Sequence, residues 1–144
     1  TAAGARITLC APPTLLPQEF LDGSNKNRND AMASIEVTTD IDSALDGADV
    51  VMPLRLQLER QQASMLPTLR EYSRMYQVDE RRLQKAKPEV LVLHPGPMNE
   101  GIEISPQVAH GAQSLIEEQV RNGVAIRMAL LYLLTGGRPG GTLT

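Results

Sequence analysis

Residues 89–101 read Glu-Val-Leu-Val-Leu-His-Pro-Gly-Pro-Met-Asn-Glu-Gly, and this stretch decides the fold class. Its first part, residues 90–94, is almost wholly apolar, as is typical of a strand buried on both faces of a parallel sheet. Its second part, residues 95–101, holds two prolines and two glycines in seven residues, so it forms no regular element. The stretch therefore predicts a buried strand that ends in a rigid, irregular loop.

Strands and helices alternate on both sides of this stretch. The residue patterns predict further strands over residues 6–10, 35–38 and 49–54. They predict helices over residues 15–20, 41–45, 58–77, 80–86 and 114–134, the third of them divided by Pro67. Four such alternations favour one α/β domain over residues 1–144, with a mostly parallel sheet flanked by helices.

Short polar side chains mark the starts of these helices. Asp40 and Asp79 are each predicted to cap the helix that follows, and Thr14 is predicted to cap the helix from residue 15. Ser114 and Glu117 have the spacing of a capping box at the start of the last helix.

Composition and charge exclude several classes of protein. Hydrophobic residues make up 42% of the chain and aromatic residues 3%, which indicates a folded domain with an aliphatic core. The 14 basic and 17 acidic residues give a net charge of -3. The basic run, Arg81, Arg82, Lys85 and Lys87, has no aromatic neighbours, so a solvated helix face is predicted rather than a nucleic-acid site.

The cysteine content and the apolar runs indicate the cellular setting. Cys10 is the single cysteine, so no internal disulfide forms, and a buried, inert thiol in a cytoplasmic protein is expected. We find no signal peptide at the start of the sequence and no apolar run long enough to span a membrane.

Residues 52–60 are the first candidate for a ligand site. They follow a predicted strand, and ligands of open α/β sheets gather at the carboxyl ends of strands. Arg55 can hold a carboxylate or phosphate through two parallel hydrogen bonds, with Gln57 beside it and Glu59 orienting the guanidinium. The alternative is that Arg55 and Glu59 form a surface pair on a helix.

Residues 94–97 are the second candidate. Pro95 and Pro97 bracket Gly96 and supply no N–H donors, so the loop's carbonyl oxygens are available to a ligand amine. The alternative is a rigid connector without a binding role. His94 is interpreted as a structural histidine rather than a catalytic base, and His110 carries no functional signal.

Four segments, in chain order, resemble those of a known family. Residues 54–60, Leu-Arg-Leu-Gln-Leu-Glu-Arg, resemble the Arg-x-Gln-x-Glu-Arg motif of aspartate carbamoyltransferases, and residues 94–97 resemble their His-Pro-x-Pro loop. Residues 11–17 look like the first loop of that family's second domain, and residues 122–131 look like its closing helix. The resemblance covers nearly the whole chain and leaves residues 22–34 unmatched.

Ornithine carbamoyltransferases share that fold and resemble this chain less. Their second domain has an Asp-x-x-x-Ser-Met-Gly segment in place of the Arg55 motif, and a cysteine where this chain has Pro95. A cationic ornithine side chain would not suit Arg55, whereas a dicarboxylate would.

The resemblance implies a Rossmann-like fold and a transferase that carbamoylates the amino group of aspartate, using carbamoyl phosphate, in pyrimidine biosynthesis. The implied substrate-binding residues are Arg55, Gln57, Gly96 and Pro97, with a cis peptide bond between the last two. The implied supporting residues are Glu59, which would orient Arg55, and Arg60 and Glu100, which match ion-pair positions.

The resemblance also implies that the carbamoyl-phosphate domain is absent from this chain. In the family that domain carries a Ser-Thr-Arg-Thr loop and a histidine that polarises the carbamoyl oxygen, and no Ser-Thr-Arg-Thr run occurs here. We therefore expect the chain alone to be inactive, because orientation between the two halves contributes much of the rate. The family forms trimers, some with regulatory chains. No cofactor, metal, nucleic acid or membrane is expected as a partner.

In the family the last helix packs against the first domain. Its apolar face, with Val120, Val124 and Leu131, is therefore expected to be partly uncovered here, with self-association or limited stability as the result. Two other functions stay open. One is a non-catalytic carbamoyltransferase-like domain that serves assembly or regulation. The other is a nucleotide-binding module, which the absence of glycine-rich phosphate motifs disfavours.

Overall fold

The computed structural model describes residues 4–18, 35–56 and 68–136. Its strands are β1 (Ile7–Cys10), β2 (Ile35–Thr38), β3 (Val50–Val51) and β4 (Leu91–Val92). Its helices are α1 (Ile41–Leu45), α2 (Leu69–Tyr76), α3 (Glu80–Leu83), α4 (Pro106–Ala109) and α5 (Ile116–Leu134), with a 3-10 turn at Pro13–Leu15. The unmatched loop at residues 22–34 and the first part of the helix predicted from residue 58 lie outside the described residues.

The strands form two parallel pairs, which confirms the predicted α/β class. β1 pairs with β2 in a register that sets Ile7 beside Ile35, and β3 pairs with β4 with Val50 beside Leu91. Among the described residues these are two separate two-stranded ladders rather than one sheet. A cavity of about 510 Å³ has residues of both β1 and β3 in its wall.

β3 and β4 are shorter than the predicted strands because few of their residues join the ladder. Leu93, which follows β4, donates its N–H to the carbonyl of Val51 at 2.9 Å. On the first strand, Pro53 lies two residues beyond Val51 and has no N–H with which to continue the pairing. On its other edge, Val92 exchanges two hydrogen bonds of 2.9 Å with residues 113 and 115. β4 is therefore held on both edges.

Two predicted helix caps are confirmed and two are wrong. Asp40 accepts a hydrogen bond from the N–H of Asp42, and Asp79 accepts one from the N–H of Arg82. Thr14 lies inside the 3-10 turn, whose cap position is held by Pro12. Ser114 stands one residue too early for a capping box: Leu115 is the N-cap of α5, and Ser114 Oγ accepts a hydrogen bond of 3.5 Å from the N–H of Ile116 instead.

The core lies around β4. Val92 and Ile104 are fully buried, and Val90 is 1% exposed. The surrounding buried cluster is almost wholly aliphatic, as the composition predicts, with Tyr76 from α2 as its aromatic member. This packing fixes the end of β4, after which residues 95–99, called the proline loop below, leave the ladder.

The predicted solvated basic face is wrong for one residue. Arg82 is 8% exposed, and its guanidinium donates to the carbonyls of Gln77 at 2.7 Å and Arg74 at 2.9 Å. It also lies 3.7 Å from a carboxylate oxygen of Asp42. Arg82 therefore ties α2, α3 and α1 together, while its neighbour Arg81 is exposed as predicted.

α5 carries a large exposed apolar surface. Val120, Val124 and Leu131 are 43%, 49% and 63% exposed, as expected for the face that the sequence singled out. Ile116 is the one buried residue of this helix, so α5 contacts the rest of the domain mainly through its first turn. None of the helices in the described ranges combines the length and apolar character that crossing a membrane requires.

Candidate functional site

Both candidate segments lie beyond the carboxyl ends of neighbouring strands. Because β3 and β4 are parallel and paired, the segments that follow Val51 and Val92 leave the ladder at the same edge. A hydrogen bond of 3.5 Å, from the side-chain amide of Asn99 to the carbonyl of Leu56, joins the two segments directly. The structure thus brings the Arg55 segment and the proline loop together, as the strand pattern predicts.

Arg55 is half-buried four residues beyond β3. It contributes to the wall of the cavity together with Met52 and Leu56, and Leu56 is 5% exposed. A guanidinium presents its N–H donors in a fixed plane and holds a carboxylate best through two of them. The position therefore suits a carboxylate group next to an apolar surface. Gln57, Glu59 and Arg60 lie outside the described residues, so their predicted roles beside Arg55 remain predictions.

The proline loop adopts an unusual backbone. The peptide bond between Gly96 and Pro97 is cis, as the family resemblance implies. Gly96 has a φ of +66°, in the left-handed region that favours glycine. A Cβ at this position would meet Val120 at an ordinary contact distance of 3.5 Å, so the backbone conformation rather than crowding demands glycine.

His94 is a structural residue, as interpreted from the sequence. It is fully buried, and its Nδ1 accepts a hydrogen bond of 2.9 Å from the N–H of Gly96. The proton of the neutral ring therefore belongs on Nε2, which lies 3.3 Å from a carboxylate oxygen of Glu103. The backbone N–H of His94 donates to the side chain of Gln119 on α5 at 2.8 Å.

Glu103 is a site residue that the sequence analysis missed. It is 1% exposed, and the oxygen that faces His94 also accepts a hydrogen bond of 2.6 Å from the N–H of Asn99. The signal was present, since an acid between Ile102 and Ile104 is unusual in a segment that otherwise reads as core. Glu103 also contributes to the wall of the cavity on which Arg55 lies.

Glu100 and His110 form a pair at the surface. One carboxylate oxygen of Glu100 lies 3.1 Å from Nε2 of His110, and both side chains are exposed. The pair joins the segment after the proline loop to the C-terminal end of α4. His110, which the sequence left without a role, is thus the ion-pair partner of Glu100 in this structure when its ring is protonated.

The cavity wall also holds a thiol and two stacked phenols. Burial, and less so the charge of Asp40, raises the pKa of Cys10 to about 11. Burial likewise raises the pKa of Tyr72 to about 12. The rings of Tyr72 and Tyr76 stack with centroids 5.4 Å apart. All three groups therefore stay protonated at neutral pH, which agrees with the inert thiol expected from the sequence. Within the described ranges no cluster of acidic, histidine or cysteine side chains could hold a metal ion.

Comparison with known proteins identifies relatives over almost the whole chain. Residues 1–134 match the family "Aspartate/ornithine carbamoyltransferase, Asp/Orn binding domain". The aspartate carbamoyltransferase catalytic subunit of Dehalococcoides mccartyi strain CBDB1 is 56% identical over 135 residues, which cover 94% of this chain and 39% of that protein. The catalytic subunit of Roseiflexus sp. strain RS-1 is 52% identical over 94% of this chain and 41% of that protein.

Solved structures give the same picture. Aspartate transcarbamoylase from Trypanosoma cruzi, in complex with aspartate and phosphate, has a TM-score of 0.62 at 28% identity, covering 87% of this chain and 36% of that one. Ornithine carbamoyltransferase from Pyrococcus furiosus has a TM-score of 0.72 at 24% identity, over 94% of this chain and 44% of that one, and shows the shared fold. The chain spans about two fifths of the length of the relatives it matches.

Proposed function

The chain belongs to the aspartate/ornithine carbamoyltransferase family as its Asp/Orn-binding domain, and from this premise we propose that residues 1–144 form the aspartate-binding half of an aspartate carbamoyltransferase. The reaction is carbamoyl transfer from carbamoyl phosphate to the amino group of aspartate, a step of pyrimidine biosynthesis. We propose aspartate rather than ornithine as the substrate for two reasons. The guanidinium of Arg55 suits a carboxylate and not a second cation. The relatives from Dehalococcoides mccartyi and Roseiflexus are aspartate carbamoyltransferases by name.

One observation carries the proposal. The hydrogen bond between Asn99 and Leu56 sets the proline loop beside the residue that follows Arg55. The guanidinium of Arg55, which can bind a carboxylate, therefore lies near the loop whose two carbonyls, of Gly96 and Pro97, can accept hydrogen bonds from an amine. The cavity has Arg55 in its wall but no residue of 95–99. We therefore place aspartate between Arg55 and the loop rather than deep in the cavity.

The proposed roles follow from the chemistry of each group. Arg55 clamps the side-chain carboxylate with help from Gln57, and Glu59 orients its guanidinium. The carbonyls of Gly96 and Pro97 orient the attacking amine. Carbonyl oxygens cannot stabilise the negative charge that develops on the carbamoyl oxygen, so donors for that charge and cations for the phosphate must come from outside these residues.

The same proposal includes the assembly. The carbamoyl-phosphate domain supplies the second half of the site, and ion pairs of Arg60 and Glu100 support the joined structure. The exposed apolar face of α5 is covered by that domain in the intact enzyme, which works in the cytoplasm as a homo-oligomer, a trimer in this family. The 144 residues alone turn over no substrate at a useful rate.

The test measures N-carbamoyl-aspartate formed from carbamoyl phosphate and aspartate. The chain is assayed alone, mixed with a separately made carbamoyl-phosphate domain, and grafted in place of the matching 135 residues of the Dehalococcoides mccartyi relative. We expect activity in the graft or the mixture and none in the chain alone. Arg55→Ala should lower kcat/KM for aspartate by about 30-fold or more, since losing a desolvated charge pair costs about 2 kcal/mol or more.

Arg81→Ala is the matched control, because it removes the same side chain from an exposed position on α3. It should leave kcat/KM unchanged within about twofold. An inactive graft that folds but binds no aspartate would favour the non-catalytic alternative, in which the domain serves assembly or regulation. Full activity of the isolated chain would contradict the proposed division of the site.

A further inference from the structure

The buried pair of His94 and Glu103 holds both ends of the proline loop. The N–H of Gly96 donates to Nδ1 of His94 at 2.9 Å, and the N–H of Asn99 donates to Glu103 at 2.6 Å. The ring of His94 and the carboxylate of Glu103 are themselves joined at 3.3 Å. A continuous chain of hydrogen bonds thus runs from Gly96 through the two side chains to Asn99.

These contacts fix two peptide planes and leave two between them. The N–H of Gly96 fixes the plane between residues 95 and 96, and the N–H of Asn99 fixes the plane between residues 98 and 99. The two planes between these carry the carbonyls of Gly96 and Pro97. Their orientation is therefore set by a pair of side chains that lies behind the loop.

The pair is also firmly anchored to the fold. The backbone N–H of His94 is held by Gln119 of α5, and the carbonyl of Glu103 accepts a hydrogen bond of 3.0 Å from Val78. The side chains of His94 and Glu103 are 0% and 2% exposed. A rotation of the loop would therefore require the pair to move within packed core.

The stability of the fold alone does not explain why a carboxylate is buried at Glu103. Within the described part of the chain, the second carboxylate oxygen of Glu103 is buried without a hydrogen-bond partner. A buried carboxylate that is only partly satisfied costs folding free energy, and an apolar side chain of similar size would avoid that cost. The acid at this place is more easily explained by what it does for the loop.

We propose that Glu103, acting through His94 and Asn99, is a positioning residue that sets the recognition of the substrate amine. It touches no reacting atom. Its effect falls on the carbonyls of Gly96 and Pro97 and spares the carboxylate site at Arg55. The inference rests on the proposed function, because it assigns the amine to the loop and the carboxylate to Arg55.

The test compares two ligands of the 144-residue chain by NMR titration. L-aspartate carries both groups, whereas succinate is a dicarboxylate without the amine. Glu103→Gln keeps the size of the side chain but replaces the carboxylate by an amide, and should weaken aspartate binding by about tenfold with succinate unchanged within about twofold. Arg55→Ala should weaken both ligands, and Glu89→Gln, an exposed acid just before β4, should weaken neither.

A second readout does not depend on any ligand. In Glu103→Gln, the amide protons of Gly96 and Asn99 should exchange with solvent at least about tenfold faster than in the parent chain. His94→Asn is the second variant, because it retains an acceptor for Gly96 but breaks the link to Glu103. It should produce the same selective loss of aspartate if Glu103→Gln does not fold.

The outcomes separate the two proposals. If the parent chain binds neither ligand, the proposed function fails, and the amide exchange still decides whether the pair holds the loop. If it binds both and Glu103→Gln weakens both equally, the residue supports the fold as a whole and the positioning role is overturned. Unchanged affinity together with unchanged exchange would overturn it as well.

Discussion

The segment around β4 and the second half of α5 are both rich in aliphatic residues, yet the fold treats them in opposite ways. Val92 and Ile104 are fully buried, whereas Ile126, Leu133 and Leu134 are 60%, 65% and 82% exposed. In the first region even a histidine and a glutamate are drawn into the core. In the second, strongly apolar side chains face solvent. Hydrophobicity therefore tells which side chains need to be buried, but not which surface buries them.

The difference lies in the number of sides from which each region is contacted. β4 has a strand on one edge and residues 113–115 on the other, and α4 adds Val108 and Ala109 to the same core. α5 contributes Ile116 of its first turn, and then extends away from that cluster. A helix that is apolar around most of its circumference normally lies inside a larger assembly. The exposed second half of α5 therefore suits contact with a partner surface, which agrees with the proposed two-domain enzyme.

The strongest test of this contrast uses the same substitution in both regions. Ile104→Ala removes a fully buried side chain and should lower the free energy of unfolding by about 2–5 kcal/mol. Ile126→Ala removes the same atoms from a position that is 60% exposed and should change it by less than about 0.5 kcal/mol. Urea unfolding followed by circular dichroism measures both values. Equal losses would mean that α5 is packed in solution.

The exposed surface of α5 gives a second test. The chain should bind an apolar fluorescent dye and self-associate as its concentration rises. Replacing Ile126, Leu130 and Leu133 by Gln should reduce dye binding and shift sedimentation towards the monomer, with little change in the unfolding free energy. A parent chain that is monomeric and silent towards the dye would contradict the contrast drawn from the structure.

The smallest expected effect concerns the ionisation of the Cys10 thiol at the cavity wall. Burial raises the pKa of Cys10 from 9.0 to about 11, so the folded state retains a proton that the unfolded chain has released above pH 9. Stability should therefore fall as pH rises through this window. Alkylation of the native thiol by iodoacetamide should rise towards pH 11, measured by mass spectrometry. A rate that levels off near pH 9 would show that the thiol is solvated.

Local signals in the sequence were enough for much of the fold and for half of the site. Asp40 and Asp79 cap their helices as predicted, because a short acidic side chain just before a helix accepts hydrogen bonds from N–H groups two or three residues away. β2 has its predicted bounds, and the cis bond before Pro97 follows from the family resemblance. Arg55 and the proline loop are brought together because parallel strands end at one edge.

The misses involve contacts between residues that are distant in the chain. Arg82 lies in a basic run that the sequence suggests is solvated. Only the fold shows that its guanidinium donates hydrogen bonds to the carbonyls of Gln77 and Arg74. Glu103 could not be recognised as a site residue without its contact to His94, which lies on the other side of the proline loop in the sequence. The capping box predicted for Ser114 and Glu117 is absent because the backbone of Ser114 joins β4 in a bridge with Val92, and α5 begins only after Leu115.

The parallel pairing of β3 with β4 also has a consequence for synthesis on the ribosome. Val50 pairs with Leu91, so the strand before Arg55 emerges well before its partner and must wait, unpaired, for the rest of the crossover. His94 follows soon after, and Glu103 after the loop it braces. The ladder of β3 and β4, and the contact of the Arg55 segment with the proline loop, can therefore form only after residues 91–99 have been synthesised. Contacts between residues that are distant in the chain form late in this way, because the intervening loop must close first.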